Sequence, residues 1–313
     1  MGRFARNFLC FAAAAACCSV GALEAKTTSK KPTAKKSSAK PTAPSASKLD
    51  RSKFHLLADG ELPLAARGAI VIDGPTGEPL YEKNADSPQY PASTTKVMTA
   101  LLVIEEGNLE QQVEVTLEDS KVPESGLNIK PGERFTRRQL LYGLMLKSAN
   151  DVAHALGRDN AGSIEAFAAK MTQRAHELGA MNTSFRNPHG LHHPEHYTTA
   201  RDLALIGRAA MQQPQFRQIV ATLEYPWVTP TTVGQVKSHN RLLFEFPGCT
   251  GVKTGFTNPA QHALVSAALR DGREVISVVL HSTKLGKWED SKLLLTYGFD
   301  HPVSPDGPRV SNN

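Results

Sequence analysis

The β-branched residues of this chain are concentrated near the two ends of its folded part. Residues 68–72 and 79–83 predict an early pair of strands. Residues 262–269 and 274–281 predict a late pair, and Asp271-Gly272 between them is typical of a hairpin turn. Strands from opposite ends of a chain can share one sheet if the helices between them pack on its faces. We therefore expect an α/β fold of the α+β type, with a mainly antiparallel sheet flanked by helices.

Helical spacing of apolar residues fills most of the interval between these strands. It predicts helices over residues 94–106, 136–147, 163–178, 198–211 and 284–297. Asp151 is expected to cap one further helix. Shorter alternating runs predict additional strands over residues 113–117 and 223–228.

The N-terminal residues have the pattern of a secretory signal peptide. Arg3 and Arg6 precede an apolar run over residues 8–20, and small residues follow it. We expect residues 1–25 to be this signal, and the protein to be exported to the periplasm or the extracytoplasmic cell envelope. Lipid attachment at Cys17 is an alternative.

A basic, Pro- and Ser-rich segment follows the signal. Residues 26–49 contain no Asp or Glu and too few apolar residues to pack, which predicts a disordered linker. Residues 1–49 carry nine Lys or Arg and one Glu, so the rest of a chain of net charge +6 is slightly acidic. The basic balance thus does not indicate a nucleic-acid-binding domain. A solvated linker is the simpler interpretation, and weak contact with anionic lipid or wall polymer is the alternative.

We expect one folded domain over residues 50–300 and a C-terminal tail over residues 301–313. Of four cysteines, only Cys249 lies outside the signal segment, so the exported chain would form no internal disulfide. Cys249 is interpreted as a packing residue.

Three short motifs occur in a fixed order along the predicted domain. They are Ser93-Thr-Thr-Lys96 at a helix start, Ser148-Ala-Asn150 between two helices, and Lys253-Thr-Gly255 before the late strands. Each one alone is weak and is explained as readily by a helix cap, a solvated charge or a turn. Together and in this order they indicate a serine acyl-transfer enzyme.

The spacing of the first motif suits nucleophilic catalysis. Residues three apart share a helix face, so the Lys96 amine can reach the Ser93 hydroxyl and accept its proton. An exposed lysine is protonated at neutral pH, so Lys96 must be desolvated or lie near a second cation such as Lys253. At the first turn of a helix, Ser93 would also bring backbone N–H groups to a developing oxyanion.

The motifs and their flanks resemble the low-molecular-mass penicillin-binding D-alanyl-D-alanine carboxypeptidases, peptidase family S11. The resembling segments are residues 91–102, 146–151, 187–191, 197–202 and 251–257. The resemblance implies a β-lactamase/transpeptidase-like fold, peptidoglycan stem peptides as substrates, β-lactam antibiotics as covalent inhibitors, and no metal or organic cofactor. Many family members carry a second, all-β domain and an amphipathic anchor, for which we expect no room here.

The family roles carry over by position. Ser93 resembles the acylated nucleophile, Lys96 its base, and Ser148 the hydroxyl that relays a proton to the leaving D-alanine. Among the binding residues, Asn150 would hold the substrate amide, and Lys253 and Thr254 its terminal carboxylate. The oxyanion hole would consist of the backbone N–H groups of Ser93 and Phe256.

Three other functions are alternatives to D-alanyl-D-alanine carboxypeptidase activity. A D,D-endopeptidase that cleaves peptidoglycan cross-links uses the same motifs and remains open. A class A β-lactamase also requires a Glu-x-x-Asn segment, which the sequence lacks between Asn150 and Lys253. A non-catalytic penicillin-binding wall protein would not be expected to retain all the motif residues.

A metal site is the remaining alternative. His189, His192, His193 and His196 fall within eight residues, which favours zinc on spacing alone. Pro188 and Pro194 break any helix that could align these side chains. We therefore predict no metal site.

Overall fold

The computed structural model describes residues 60–229 and 233–303. The predicted signal peptide, the linker and the tail beyond residue 303 lie outside the described residues. Within these two stretches no helix has the length and apolarity needed to cross a membrane.

Five antiparallel strands form the central sheet, in the order β2-β1-β9-β8-β7. They are β1 (Gly68–Asp73), β2 (Pro79–Lys83), β7 (Cys249–Thr257), β8 (Gln261–Arg270) and β9 (Arg273–Ser282). Two small two-stranded sheets add β3 (Gln112–Glu114) with β4 (Arg134–Thr136), and β5 (Glu224–Val228) with β6 (Val233–Lys237). Ala69 of β1 pairs with Val279 of β9, so the early and late strands meet in one sheet, as predicted.

Helices cover both faces of this sheet. They are α1 (Lys96–Glu106), α2 (Leu117–Ser120), α3 (Arg137–Tyr142), α4 (Asn150–Ala161), α5 (Ile164–Glu177), α6 (Ala200–Met211), α7 (Pro214–Ala221), α8 (Leu242–Glu245) and α9 (Gly286–Asp300). A 3₁₀ turn, Ala92–Thr95, leads directly into α1, and a π-helical turn, Gly143–Lys147, follows α3.

The alternation of β1 explains why both faces need helices. Ile70 and Ile72 belong to the larger apolar core, which also contains residues of α1, α4, α5 and α6. Ala69 and Val71 face the other way, into a smaller core beneath α9. Because β1 is buried on both faces, elements must pack on both sides of the sheet. Within the sheet, β1 lies between β2 and β9. The predicted sheet with flanking helices is confirmed.

Two local predictions were wrong. Helix α4 begins at Asn150 with Ala149 as its N-cap, so Asp151 does not cap it. The Asp151 carboxylate instead accepts hydrogen bonds from the backbone N–H groups of Leu127 and Ile129, which fixes the loop before β4.

The other error concerns residues 113–117. Strand β3 ends at Glu114, and Leu117 begins α2, because Thr116 and Asp119 form a reciprocal capping box.

The Lys253-Thr-Gly255 motif precedes the two predicted late strands, β8 and β9, and itself lies in β7, a strand that the sequence patterns did not predict. Cys249, at the start of β7, packs beside the smaller core and is half-buried. Burial raises the pKa of its thiol to about 11. An unreactive packing residue has these properties.

Candidate active site

The nucleophile candidate lies in the short 3₁₀ turn that opens α1. Ser93 is half-buried, and the turn places Lys96 one helical turn later on the same face. Lys96 Nζ is 3.0 Å from Ser93 Oγ, which is hydrogen-bonding distance. Ala92, just before the serine, has φ of +48°, a region unfavourable for a residue with a side chain. Such strain beside a reactive group is common at functional sites.

The Lys96 amine is fully enclosed and has no carboxylate partner within residues 60–229 and 233–303. Its Nζ donates to Asn150 Oδ1 at 2.7 Å and to the His189 carbonyl at 2.6 Å. Burial and then the charge of Lys253 lower the pKa of Lys96 well below its ordinary value, against smaller opposing effects of Asp151 and Glu124. A neutral amine at this distance can accept the Ser93 proton.

The loop over residues 187–191 holds the nucleophile turn from the other side. Asn187 Oδ1 accepts hydrogen bonds from the N–H groups of His189 and Gly190, and Asn187 Nδ2 donates to the Leu191 carbonyl. Gly190 has φ of +87°, and a Cβ there would lie 1.8 Å from the Ala92 carbonyl oxygen. The loop therefore needs glycine at that point and presents the His189 carbonyl to Lys96.

The second motif bridges the π-helical turn and α4. Ser148 has φ of +66° and is nearly buried, and its hydroxyl has no hydrogen-bond partner among the described residues. Asn150, two residues later, accepts from Lys96, and its Nδ2 donates to the Pro123 carbonyl. The structure therefore joins Asn150 directly to the Ser93–Lys96 pair, whereas Ser148 makes no hydrogen bond to either residue.

Strand β7 forms one edge of the central sheet and contains the third motif. Gly255 packs against the nucleophile turn, where a Cβ would lie 3.2 Å from the Ser93 nitrogen. A larger residue at Gly255 would separate β7 from Ser93. Phe256 follows on the exposed side of the strand, stacked on His262 with ring centroids 4.4 Å apart. Because Gly255 contacts the nucleophile turn, the backbones of Ser93 and Phe256 belong to two elements that pack against each other.

Two lysines bring positive charge to this region, one in β7 and one in α9. Lys253 is 1% exposed, its Nζ donates to the Thr254 carbonyl, and burial followed by the charge of Lys287 lowers its pKa to about 7. Sequence reasoning missed Lys287, which lies in α9 far from any motif. Burial lowers the pKa of Lys287 to about 8, and its Nζ is 3.4 Å from His262 Nδ1. Only the tertiary fold brings this cation to the site.

The four clustered histidines have separate surroundings. His196 is buried, with Nε2 at 2.9 Å from Thr95 Oγ1, and its Nδ1 accepts from the Arg186 N–H. His189 Nδ1 accepts from the Leu191 N–H, and His193 Nδ1 from the Glu195 N–H. The His192 ring contacts Tyr90 edge-on. Over residues 60–229 and 233–303, no three ligating side chains are grouped so as to hold a metal ion.

Comparison with known proteins decides the family. Residues 57–284 match the family model of the S11 peptidases, described as D-alanyl-D-alanine carboxypeptidase. The chain belongs to the S11 peptidase family. Its motif segments thus resemble those of true relatives, and its fold is the β-lactamase-like fold of penicillin-binding proteins.

Individual S11 relatives match most of the chain. It is 38% identical over 255 residues to a D-alanyl-D-alanine carboxypeptidase of Streptomyces strain K15, covering 75% of this chain and 88% of the relative. It is 36% identical over 251 residues to DacB2 of Mycobacterium tuberculosis, also named a D-alanyl-D-alanine carboxypeptidase, covering 77% and 85%. The crystal structure of the Streptomyces K15 DD-transpeptidase superposes with a TM-score of 0.72 at 36% identity, covering 76% of this chain and 98% of that one.

Proposed function

We propose that this S11 peptidase is a serine-type D-alanyl-D-alanine carboxypeptidase that removes the terminal D-alanine from peptidoglycan stem pentapeptides. The observation that carries the proposal is the buried Lys96 amine 3.0 Å from the half-buried Ser93 hydroxyl. A lysine without a carboxylate partner is costly to bury, and its lowered pKa suits it to act as a base. The family's known members support the choice of substrate.

In the proposed acylation, Ser93 Oγ attacks the carbonyl carbon of the penultimate D-alanine and passes its proton to Lys96 Nζ. The oxyanion that forms accepts hydrogen bonds from the N–H groups of Ser93 and Phe256. Ser93 lies in the first turn of its helix, where backbone N–H groups have no partner within the helix. Asn150 holds the substrate amide and thereby aligns the carbonyl with Ser93.

The leaving D-alanine bears a carboxylate, which Lys253 and Thr254 would bind, with Lys287 adding to the positive field. Breaking the peptide bond requires a proton on the departing nitrogen. Ser148 is proposed to relay this proton from Lys96, because its hydroxyl has no other partner among the described residues. Water then attacks the Ser93 ester and releases the shortened peptide. Lys96 and Ser148 are the candidates to activate that water.

The same acyl-enzyme could also form from a cross-linked peptide, which makes D,D-endopeptidase activity the second candidate. Among the neighbours, the Streptomyces K15 structure is named a DD-transpeptidase, an activity in which an amine takes the place of water. A β-lactam would acylate Ser93 in the same way, because its carboxylate and strained amide resemble the substrate. We expect this adduct to persist rather than to turn over.

The place of action is also proposed. Residues 1–25 would direct export and residues 26–49 would tether the domain, with weak attraction to anionic lipid or wall polymer. The catalytic domain, residues 50–300, would then act in the periplasm or the extracytoplasmic envelope, where its substrate is located. Binding to anionic vesicles that survives deletion of residues 26–49 would contradict the tether.

Mass analysis of purified muropeptides, after incubation with the protein or its Ser93→Ala variant, tests the proposal. We expect pentapeptides to lose one alanine with the protein and to remain unchanged with the variant. Conversion of cross-linked dimers to monomers would instead establish the endopeptidase, and joining of peptides through an added amine would establish a transpeptidase. Labelling of Ser93 by a fluorescent penicillin without any peptide turnover would support a non-catalytic penicillin-binding protein.

A further inference from the structure

A glutamate at the rim of the proposed active site has an unusual backbone conformation. Glu124 lies in the loop over residues 122–126, is exposed, and has φ of +67°. This left-handed region disfavours side chains with a Cβ and is uncommon for glutamate. Such a conformation persists where surrounding contacts impose it, and often where a function depends on it.

The contacts that impose it come from Asn150. Its backbone N–H donates to the Ser125 carbonyl at 2.6 Å, and its Nδ2 donates to the Pro123 carbonyl at 3.1 Å. Glu124 lies between these two anchored residues. Because Asn150 Oδ1 also accepts from Lys96 Nζ at 2.7 Å, the loop is attached to the catalytic pair through one side chain. Glu124 is thus held at the edge of the cleft beside the proposed amide-binding residue.

The Glu124 carboxylate does not hold any other described part of the protein in place. It makes no hydrogen bond and no ion pair there. Asp151, the other carboxylate whose charge reaches Lys96, is buried and accepts from the N–H groups of Leu127, Ile129 and Val152. Of these two carboxylates, Glu124 alone remains open to a ligand.

The charges across the cleft are asymmetric. Lys253 and Lys287, at β7 and α9, would receive the carboxylate of the terminal D-alanine. The peptide would then cross Ser93 and extend past Asn150, towards the loop that carries Glu124. A negative group at that end complements a positive group on the preceding part of the peptide.

We propose that Glu124 forms a subsite for a cationic side chain, an ammonium group on the residue that precedes D-alanyl-D-alanine. This inference rests on the proposed function. Glu124 would then be a specificity-determining residue that contacts the substrate but takes no part in bond making or breaking. An exposed ion pair is weak, so the preference it provides should be modest and should fall with rising salt.

Two peptides that differ in one charge test the subsite. They are N-acetyl-L-lysyl-D-alanyl-D-alanine with a free side-chain amine and the same peptide acetylated on that amine. At low ionic strength we expect kcat/KM to favour the cationic peptide about two- to fivefold. Glu124→Gln should bring this ratio close to one by slowing the cationic peptide alone, and Glu124→Lys should invert it. Glu118→Gln, an exposed glutamate of α2, is the matched control and should leave the ratio unchanged.

Other outcomes overturn the inference in distinguishable ways. An equal loss of rate for both peptides in Glu124→Gln would mean that the carboxylate acts on Lys96 and not on the substrate. A ratio that is unchanged by Glu124→Gln would remove Glu124 from recognition altogether. Failure of the unaltered protein to cleave either peptide, with penicillin labelling intact, would overturn the proposed function and the subsite with it.

A glycine variant separates recognition from folding. Glu124→Gly accepts φ of +67° without strain, so the thermal unfolding midpoint should be unchanged or raised. The preference for the cationic peptide should nevertheless disappear. A large drop in the midpoint would show that the side chain is needed for the fold, which would contradict the subsite.

Discussion

The two ends of helix α4 bury charge in opposite ways. At its start, Asn150 accepts a hydrogen bond from Lys96, and after burial the largest effect on the pKa of Lys96 comes from another cation, Lys253. Further along, His154 and Arg158 both bond the fully buried carboxylate of Asp119, with Arg158 Nη2 at 2.8 Å from Asp119 Oδ2. At one end of the helix two lysines influence each other, and at the other end basic side chains pair with a buried carboxylate.

The pKa values show what this difference does. Burial would raise the pKa of Asp119, but hydrogen bonds from His154 and Arg158 hold it below its ordinary value, so the ion network favours its charged form. Burial and Lys253 both lower the pKa of Lys96, so that site favours the neutral form. A buried group that has an oppositely charged partner stays charged, whereas a buried group without such a partner tends to be neutral and can exchange a proton. We therefore expect the Asp119 network to determine stability and the surroundings of Lys96 to determine reactivity.

The largest expected effect is the loss of acylation in Lys96→Met. Removing a general base should slow labelling of Ser93 by fluorescent penicillin by about 10²- to 10⁴-fold. The free energy of unfolding should change much less, because burying an amine that has no counter-ion is itself unfavourable. Lys170→Met, at a half-buried lysine paired with Glu106, is the control for loss of a lysine elsewhere. Labelling at the original rate would remove Lys96 from the mechanism.

The reverse result is expected at the other end of α4. Asp119→Ala removes the hydrogen-bond partner of His154 and leaves the Arg158 guanidinium without its carboxylate, and should lower the free energy of unfolding by about 3–5 kcal/mol. Urea denaturation measures this loss. Penicillin labelling of the folded fraction should proceed at the original rate. A stable but unreactive variant would mean that the two regions are not separate in function.

The pH dependence of turnover should report Lys253. Its pKa of about 7 means that it is charged below that pH and loses its proton above it. For D-alanyl-D-alanine peptides, kcat/KM should therefore fall above about pH 7, approaching tenfold per pH unit, as the carboxylate loses its cation. Lys287→Met removes a neighbouring charge and should move this limb to higher pH, whereas Lys292→Met, whose lysine pairs with Glu245 and Glu289, should not. An unshifted limb in Lys287→Met would contradict the assignment.

The smallest effect concerns a buried group that is kept neutral. Burial lowers the pKa of His196 to about 3, from an ordinary value of 6.5, so below pH 6.5 the unfolded chain binds a proton that the folded one does not. The free energy of unfolding should thus fall with pH, by about 1.5 kcal/mol between pH 6.5 and 5 from this group. Denaturation at both pH values should show a shallower dependence in His196→Gln. An equal slope in the variant would exclude His196 as the source.

Much of the fold and of the site was predictable from local patterns. The strands at both ends and the helix from Lys96 follow from periodicity, and the pairing of Ser93 with Lys96 follows from helix spacing. Strand β7 was missed because Gly251 and Gly255 interrupt its β-branched residues. The short helix α2 did have a signal in its Thr116–Asp119 capping box, which was overlooked.

The remaining site residues have no local signal. The His189 carbonyl reaches Lys96 through the backbone, so the identity of its side chain carries no information about that contact. Lys287 and Glu124 come to the cleft from α9 and from the loop after α2, and only the packed structure brings them near the motifs. A charged residue that is remote in sequence from the motifs has no characteristic spacing from them, so the sequence does not reveal its place at the site.

The pairing of β1 with β9 also governs when the chain can fold. Ala69 pairs with Val279, so β1 has no neighbour on the β9 side until almost the whole domain has been synthesised. Contacts this distant in sequence make folding slow, and they prevent a partly synthesised chain from completing its core. If export follows synthesis, this delay keeps the polypeptide loosely structured for passage through a narrow translocation channel. The arrangement that builds the enzyme would thus also postpone its activity until the last strand arrives.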